Sequence, residues 1–337
     1  MNILYTLNDK FVPQVSAGIT SLCENNKSVK NIDFYLISQG ICAENKKKLK
    51  KMVKEKYHRK IFYIEINDLS KYFEFEFDTN GWNQIVLARL LMEKLLPKTI
   101  DKIIYLDGDT IVRGNIEKLW NTKMGDKAIA ASIEPTIDKK RKNALGLKNM
   151  PYYNAGVLLV DLKNWRKDNI GEKILKFYKK NNGKLFANDQ DAINGALKGN
   201  IITLSPTYNF YNIFYQYSYK FLNKLCDFEY IDKKTYIDAF NNPKIIHYLG
   251  EERPWRDGNT HKYRNDYRKY LNMTCWRNEP NEKGWKLYFF FWRLFNFVTK
   301  PFPLLRYKII NSLIPVFMKI RKKSIKRRKK EEYENSH

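Results

Sequence analysis

The chain has few cysteines, and their spacing excludes two common uses of this residue. The four cysteines of the 337-residue sequence lie far apart, with no Cys-x-x-Cys pair among them. Structural zinc sites and the disulfide frameworks of small secreted proteins both need closely spaced cysteines. The first residues, MNILYTLND, also lack the basic region, long apolar run and cleavage site of a secretory signal. We therefore expect free thiols and a cytoplasmic location.

The sequence also contains no apolar run long enough to cross a bilayer. The best candidate, residues 285–298, is strongly aromatic but only 14 residues long, and Lys286 and Arg293 interrupt it. A transmembrane helix needs about 20 apolar residues. An amphipathic stretch follows at 304–320, so residues 261–337 are predicted to form a helical, aromatic and basic extension.

The charge of the chain is strongly unbalanced. The formal net charge is +26, and residues 285–337 carry 14 Lys and Arg against 3 Glu. An aromatic helix followed by a polybasic run is typical of a segment that binds an anionic membrane surface. We expect peripheral association with the inner face of the cytoplasmic membrane and no nucleic-acid partner. The alternatives are a helix packed on the body with a solvated tail, and a basic nucleic-acid-binding protein.

Strand-like and helix-like segments alternate along most of the chain. Apolar and β-branched segments predict strands at 2–7, 33–38, 61–66, 103–106, 127–133, 153–161 and 245–249. Helices are predicted at 12–23, 43–57, 83–96, 171–180 and 189–197. This order predicts an α/β fold, with a single domain over 1–260 and a mostly parallel central sheet. Ligands of such sheets bind beyond the carboxyl ends of the strands.

A pair of aspartates ends one of these predicted strands. The run IIYL leads into Asp107, Gly108 lets the backbone approach a ligand closely, and Asp109 follows. Two carboxylates this close repel each other unless a cation or protons lie between them. Hard oxygen ligands favour Mg²⁺ or Mn²⁺, which can bridge a diphosphate. The motif is short, a second Asp-x-Asp occurs at 189–191, and a polar turn is the alternative interpretation.

Five blocks of sequence, in this order, are similar to those of glycosyltransferase family 8. They are ILYTLND (3–9), ARLLMEKLLP with DKIIYLDGDTIVRGNIEKLW (88–97 and 101–120), YYNAGVLLVDLKNWR (152–166), NDQDAINGAL (188–197) and HYLGEERPW (247–255). The family comprises retaining enzymes with a GT-A (Rossmann-like) fold, including bacterial lipopolysaccharide galactosyl- and glucosyltransferases. The resemblance therefore implies a GT-A domain that transfers a sugar from a nucleotide donor.

The resemblance also implies a metal site and a nucleotide site. The family's two aspartates and a late histidine hold Mn²⁺ (or Mg²⁺) on the UDP diphosphate, and the matching residues are Asp107, Asp109 and His247. The other implied donor-binding positions are Thr6, Asn8 and Asp9 after the first strand, Gly108, and Gly250 and Arg253 on the phosphate-contacting loop. Asn8 stands where an aspartate is usual, and Arg253 where a lysine is more usual. A capping role for Asp9 and an exposed loop position for Arg253 are the alternatives.

The remaining implied residues surround the donor sugar: Arg89, Asn154, Asp189 and Gln190. Gln190 matches the residue beneath the sugar, and an amide is a poor nucleophile, while Asp189 is the neighbouring carboxylate. We therefore expect same-face attack by the acceptor, with the departing phosphate oxygen taking its proton, and no covalent intermediate on Asp189. A salt bridge between Arg89 and Asp189 would be a structural role compatible with the functional one.

The sequence thus predicts a metal-dependent, retaining hexosyltransferase. Its donor is expected to be UDP-galactose or UDP-glucose, and its acceptor a cell-surface glycan or lipid-linked glycan such as a lipopolysaccharide core or capsule unit. Two aspartates and Mg²⁺ also suit phosphoryl transfer, so a metal-dependent phosphohydrolase or nucleotidyltransferase is the enzymatic alternative.

Overall fold

The computed structural model describes residues 1–334, with the side chains of residues 321 and 324–334 outside that description. Its described strands are β1 (Asn2–Asn8), β2 (Asp33–Gln39), β3 (Lys60–Glu65), β4 (Lys102–Leu106), β5 (Thr110–Val112), β6 (Ile129–Ile133), β7 (Tyr153–Asp161), β8 (Ile202–Leu204) and β9 (Ile245–His247). Seven of them form one sheet in the order β3-β2-β1-β4-β7-β6-β8, and β5 pairs with β9. Only β7 runs antiparallel to its neighbours in the large sheet. The predicted α/β fold with a mostly parallel sheet is confirmed.

Helices cover both faces of this sheet. Those of the first half are α1 (Val12–Asn25), α2 (Ala43–Lys51), α3 (Met92–Leu95), α4 (Glu117–Trp120), α5 (Lys139–Ala144), α6 (Leu162–Lys167) and α7 (Ile170–Lys180). Those of the second half are α8 (Asn188–Leu197), α9 (Ile213–Gln216), α10 (Tyr219–Leu225), α11 (Lys233–Asn241), α12 (Arg264–Leu271), α13 (Lys286–Thr299) and α14 (Pro303–Glu334). The central strands are buried over most of their length, as the strands of a doubly covered parallel sheet have to be.

The segment 83–96 differs from its prediction. It is a 3₁₀ helix over Gln84–Leu91, followed by the single turn α3, and not one α-helix. A 3₁₀ helix places residues three apart above one another. The side chain of Arg89 accordingly donates from Nε to the carbonyl of Val86 (3.1 Å). Residues 43–57 are helical as predicted, but α2 continues as a π-helical turn over Met52–Lys56.

The sheet topology brings several polar strand ends to one edge. Strands β1, β4 and β6 are parallel to one another, so Asn8, Asp107 and Glu134 all lie at or just beyond carboxyl ends on the same side. Because β7 runs the other way, its first residues, including Asn154, return to that edge. The candidate site lies there.

The chain after β9 packs on the body before it reaches the basic segment. In α12, the Tyr270 hydroxyl accepts a hydrogen bond from Asn25 Nδ2 of α1 (2.7 Å). Asp266 Oδ1 of the same helix accepts one from Arg113 Nε (2.7 Å). The guanidinium of Arg256 stacks over Trp285, 3.6 Å from the ring centre, just ahead of α13. None of the described helices is both long and apolar enough to span a membrane.

Candidate active site

Asp107, Asp109 and His247 form a cluster at the sheet edge. One ligand atom from each lies within 4.8 Å of the others. His247 Nε2 is 3.3 Å from Asp109 Oδ1 and 3.7 Å from Asp107 Oδ2. Two carboxylates and an imidazole form a ligand set that suits Mn²⁺, and the carboxylates also suit Mg²⁺.

The small sheet explains how a histidine so distant in sequence reaches the aspartates. Strand β5 begins directly after Asp109 and pairs antiparallel with β9, with Thr110 opposite His247. The backbone N–H of Tyr248 then donates to the carbonyl of Asp109 (2.9 Å). The pairing register therefore fixes the imidazole beside the carboxylates.

A glycine of β7 leaves room for this cluster. A Cβ atom at Gly156 would lie 2.2 Å from His247 Cε1 and 3.0 Å from Asp107 Oδ2. Both distances are far inside ordinary contact. The absence of a side chain at this position is a condition for the triad.

The second oxygen of Asp107 is occupied by the protein. Its Oδ1 accepts from Arg89 Nη2 (2.7 Å) and from the Tyr105 hydroxyl (2.6 Å). Arg89 stacks over the Tyr105 ring, 4.3 Å from its centre. Only Oδ2 is left facing His247, so Asp107 is oriented to offer one oxygen to a cation. Nothing in the sequence pointed to Tyr105, because its partners depend on the fold.

Arg89 also pairs with Asp189, which is the structural role considered for it in the sequence. Its Nε lies 3.0 Å from Asp189 Oδ2, and both side chains are buried. One guanidinium is thus shared between two carboxylates. Burial raises the pKa of Asp189 to about 6, because Arg89 only partly offsets the desolvation and the charge of Asp107 adds to it. Arg89 Nη1 donates to the carbonyl of Ala155 (2.7 Å), so every nitrogen of this guanidinium has a protein partner.

The charges around Asp109 favour its ionised form. Burial of its carboxyl opposes ionisation, but His247 and Arg253 outweigh that effect and lower the pKa of Asp109. Burial likewise opposes protonation of His247, and Asp109 outweighs it, so the pKa of His247 is raised. Arg253 Nη2 lies 3.4 Å from Asp109 Oδ2. Arg253 is therefore turned toward the carboxylate pair and is not an exposed loop residue.

The predicted sugar-side residues meet on an acidic residue that we did not identify in the sequence. Glu134 Oε2 accepts from Asn154 Nδ2 (2.9 Å) and from Gln190 Nε2 (3.0 Å). Gln190 Oε1 accepts from the backbone of Ala155 (2.9 Å). Glu134 directly follows β6, so its place after a strand could have singled it out.

The nucleotide-side residues occupy the end of β1 and the loop after it. The Thr6 hydroxyl lies 3.0 Å from that of Tyr105, and Asn8 Oδ1 is buried without a partner among the described residues. Asp9 Oδ1 accepts from the backbone of Cys42 and from Asn45 Nδ2, both at 2.9 Å. The Oδ1 atom of Asp9 therefore has the capping role that was the alternative to nucleotide binding.

Two glycines complete the set. A Cβ atom at Gly108 would lie 3.0 Å from the Phe11 ring and 3.2 Å from Val15, so the turn between the aspartates packs closely on α1. Gly250 has a φ of +77°, a conformation that favours glycine, on the loop that carries Arg253.

This fold is the GT-A fold of glycosyltransferases. Among solved structures, the galactosyltransferase LgtC in complex with donor and acceptor sugar analogues matches with a TM-score of 0.69 at 23% identity. The match covers 85% of this chain and 99% of that one. Mouse xyloside xylosyltransferase 1 matches with a TM-score of 0.55 at 15% identity, covering 74% and 98%. At these identities the likeness concerns the fold.

The sequence places the chain more narrowly. It matches the family described as glycosyl transferase family 8 over residues 2–259, and the chain belongs to that family. General stress protein A of Bacillus subtilis (strain 168) is 26% identical over 284 residues, covering 83% of this chain and 96% of that protein. Lipopolysaccharide 1,2-glucosyltransferase of Escherichia coli (strain K12) is 25% identical over 284 residues, covering 83% and 80%. The resemblance is confirmed, and glycosyltransferase activity is favoured over phosphoryl transfer and nucleic-acid binding.

Proposed function

We propose that the protein is a metal-dependent, retaining hexosyltransferase that uses a UDP-sugar donor. The observation that carries this proposal is the convergence of Asp107, Asp109 and His247 on one point at the carboxyl edge of the sheet, with Arg253 beside them. A Mn²⁺ or Mg²⁺ ion held there would act as a Lewis acid on the diphosphate of the donor. The absence of a side chain at Gly156 supports such a site, since it lets His247 and Asp107 lie next to each other there.

The chain's own residues can bind the rest of the donor. Arg253 is a fixed cation beside the carboxylates, and its fork can grip a phosphate oxygen as the leaving group gains charge. Asn8 Oδ1 is buried with no partner among the side chains that the structure describes, which suits an acceptor for a ribose hydroxyl or a uracil N–H. Thr6 lies at the same strand end.

The contacts beneath the sugar support same-face attack. The Gln190 amide is held at both ends, by Ala155 on its oxygen and by Glu134 and Tyr152 on its nitrogen. Asp189 is 7% exposed and paired with Arg89. To act as a covalent nucleophile, Gln190 or Asp189 would have to break these contacts, which argues against a glycosyl-enzyme intermediate. We therefore propose that the acceptor attacks directly and that the departing phosphate oxygen takes its proton. A glycosyl adduct trapped on Asp189 and detected by mass spectrometry would contradict this mechanism.

The acceptor is proposed to be a lipid-linked or cell-surface glycan, reached from the membrane surface. Thirteen of the sixteen exposed large hydrophobic side chains among the described residues lie between Leu287 and Ile320. Nine of the twelve residues 319–330 are basic. An apolar surface next to a polybasic run suits an anionic bilayer surface.

Donor hydrolysis tests the function without knowledge of the acceptor. We expect Mn²⁺-dependent release of UDP from UDP-galactose or UDP-glucose in a panel that also contains UDP-GlcNAc and UDP-GalNAc. Asp109→Ala should abolish the release, whereas Asp126→Ala, which removes an exposed carboxylate, should leave it unchanged. Release that survives both chelation of metal and Asp109→Ala would refute the proposal.

A further inference from the structure

A chain of hydrogen bonds runs from Glu134 to His247 through two buried asparagines. His247 Nδ1 lies 2.9 Å from Asn209 Oδ1, and Asn209 Nδ2 donates to Asn154 Oδ1 at 2.8 Å. Asn154 Nδ2 in turn donates to Glu134 Oε2 at 2.9 Å. His247 and both asparagines are at most 2% exposed. Their polar atoms therefore satisfy one another and not bulk water.

A backbone amide fixes the direction of this chain. The N–H of Gly156 can only donate, and it donates to Asn154 Oδ1 at 2.9 Å. That atom is therefore the carbonyl oxygen of Asn154, and the group of Asn209 that faces it has to be the NH₂. Asn209 consequently turns its own carbonyl oxygen toward His247.

A second backbone amide orients the other branch of the network. The N–H of Ala155 donates to Gln190 Oε1, so the NH₂ of Gln190 faces Glu134 Oε2 at 3.0 Å. An ionised carboxylate only accepts hydrogen bonds. Glu134 is thus the acceptor at which both branches end. The backbone amides of Gly156 and Ala155 both orient their branches so that the NH₂ group faces Glu134.

A carbonyl oxygen opposite Nδ1 requires a proton on that nitrogen. Nδ1–H therefore donates to Asn209, and Nε2 is the nitrogen left to offer a lone pair to a cation. Nε2 is the nitrogen 3.3 Å from Asp109 Oδ1. In metal sites, a hydrogen bond on one imidazole nitrogen fixes the tautomer and the ring orientation for the other.

We propose that Asn209 and Glu134, linked through Asn154, are positioning residues that keep the proton of His247 on Nδ1 and so reserve Nε2 for the metal. Neither residue needs to touch the metal or the donor for this role. The same network holds Gln190, so the metal side and the sugar side of the site share one rigid frame. The consequence for metal affinity rests on the proposed function, whereas the protonation of Nδ1 does not.

The protonation of Nδ1 can be measured in the metal-free wild-type protein. Long-range ¹H–¹⁵N correlation spectra should show a protonated Nδ1 on His247, whatever the state of Nε2, which faces the Asp109 carboxylate. The His247→Gln variant identifies the signal among those of the four histidines. An unprotonated Nδ1 would overturn the proposal whether or not the protein is a glycosyltransferase.

Two substitutions at one position test the consequence. Asn209→Ala removes the acceptor and should weaken Mn²⁺ binding, followed by electron paramagnetic resonance, by about ten- to a hundredfold. Asn209→Asp keeps an acceptor opposite Nδ1, so it should keep the proton on Nδ1 and restore Mn²⁺ affinity to within a few-fold of wild type. Because Asp lacks the NH₂ that faces Asn154, its KM for the donor should still rise.

The paired design separates positioning from general damage. Wild-type Mn²⁺ affinity in a folded Asn209→Ala variant, or equal loss of affinity in the Ala and Asp variants, would contradict the proposal. If Asn209→Ala does not fold, the proposal is still tested by the Mn²⁺ affinity of Asn209→Asp and by the protonation of His247 in the wild-type spectrum. A wild-type protein that binds no Mn²⁺ would refute the proposed function and leave the measurement of Nδ1 protonation valid.

Discussion

The space left by Gly156 is the most sensitive single feature of the site. The methyl group of Gly156→Ala would meet His247 at 2.2 Å and Asp107 Oδ2 at 3.0 Å. At these distances the side chains of His247 and Asp107 would have to move. Overpacking of this kind destabilises a folded protein by about 1–3 kcal/mol even where the neighbouring side chains can shift. We expect Mn²⁺ affinity to fall more than about tenfold, since a shift of 1.4 kcal/mol already gives that factor.

Calorimetric titration of Mn²⁺ would measure this loss. Gly114→Ala is a suitable control, because the atoms that its methyl group would meet belong to the flexible Lys244 side chain. Unchanged affinity in Gly156→Ala would show that the triad does not act as a metal site in this arrangement.

The raised pKa of Asp189 predicts how the free energy of unfolding depends on pH. Its pKa is about 6 in the folded protein, against an ordinary value of 3.8, because burial favours the neutral acid. The folded state therefore holds this proton more tightly than the unfolded state. The stability it contributes is fully present below about pH 4 and is lost as pH rises through about 6, with a total near 3 kcal/mol.

Asp189→Asn removes this titration while keeping the shape of the side chain. The free energy of unfolding of wild type minus that of the variant should fall as pH rises from about 4 to about 7. Urea denaturation across this range measures the difference, and the other carboxylates cancel in the subtraction. A difference that stays constant, or rises with pH, would show that the Arg89 pair dominates over burial.

At the scale of elements, the sequence was informative where a pattern is long enough to repeat. All seven predicted strands are present, because clusters of apolar and β-branched residues mark the strands of a doubly covered sheet. The strands that were missed, β5 and β8, are three residues long and take their conformation from distant partners. The small sheet that delivers His247 therefore could not be predicted.

The same limit applies to the site. Asp107 and Asp109 are visible in a short window, and His247 was found through the resemblance to a family. Asn209 bonds to His247 and Tyr105 to Thr6, which are remote in sequence, so no local pattern identifies these contacts. Glu134 is marked in the sequence only by its place directly after β6. Residues that orient ligands are harder to predict than the ligands themselves, because their partners exist only in the fold.

Helix α13 carries the test of membrane binding. Phe290, Phe291 and Phe297 are exposed on it, and full burial of such a side chain in an apolar medium contributes about 1.5–3 kcal/mol. Replacing the three with Ser should weaken binding to anionic vesicles by well over tenfold, and donor hydrolysis in solution should persist.

Vesicle co-sedimentation measures this effect. Phe62→Ser is a matched control, because Phe62 is an exposed phenylalanine on β3, outside the C-terminal extension. Binding of the wild type should weaken as salt rises, since the basic residues act through screened charge. Retention of vesicle binding by the triple variant would instead favour the packed-helix interpretation.

At the scale of the whole molecule, the folded domain that carries the candidate site ends somewhere between β9 and α13. The domain boundary at residue 260 stays a prediction, and the family match covers residues 2–259. The contacts continue past it: Tyr267 and Tyr270 are buried, and Met273 accepts from Lys56 at its carbonyl (2.8 Å). Glu282 accepts from Trp255 Nε1 (3.1 Å). We propose that residues 261–282 are part of the folded body, and that α13 and α14 form an extension that rests on this body through contacts such as Arg306 over the Tyr217 ring, 5.3 Å from its centre.

Two truncations distinguish these boundaries. A chain that ends at residue 284 should unfold cooperatively and retain donor hydrolysis, since it keeps the contacts of α12 with α1. A chain that ends at 260 loses the buried side chains of α12, at about 1.5–3 kcal/mol each, against a total stability of about 5–15 kcal/mol for a typical protein. We expect it to be unfolded or to melt well below the longer fragment, as followed by circular dichroism. Equal melting of the two fragments would place the boundary at 260, and loss of folding in both would make α13 and α14 part of the body.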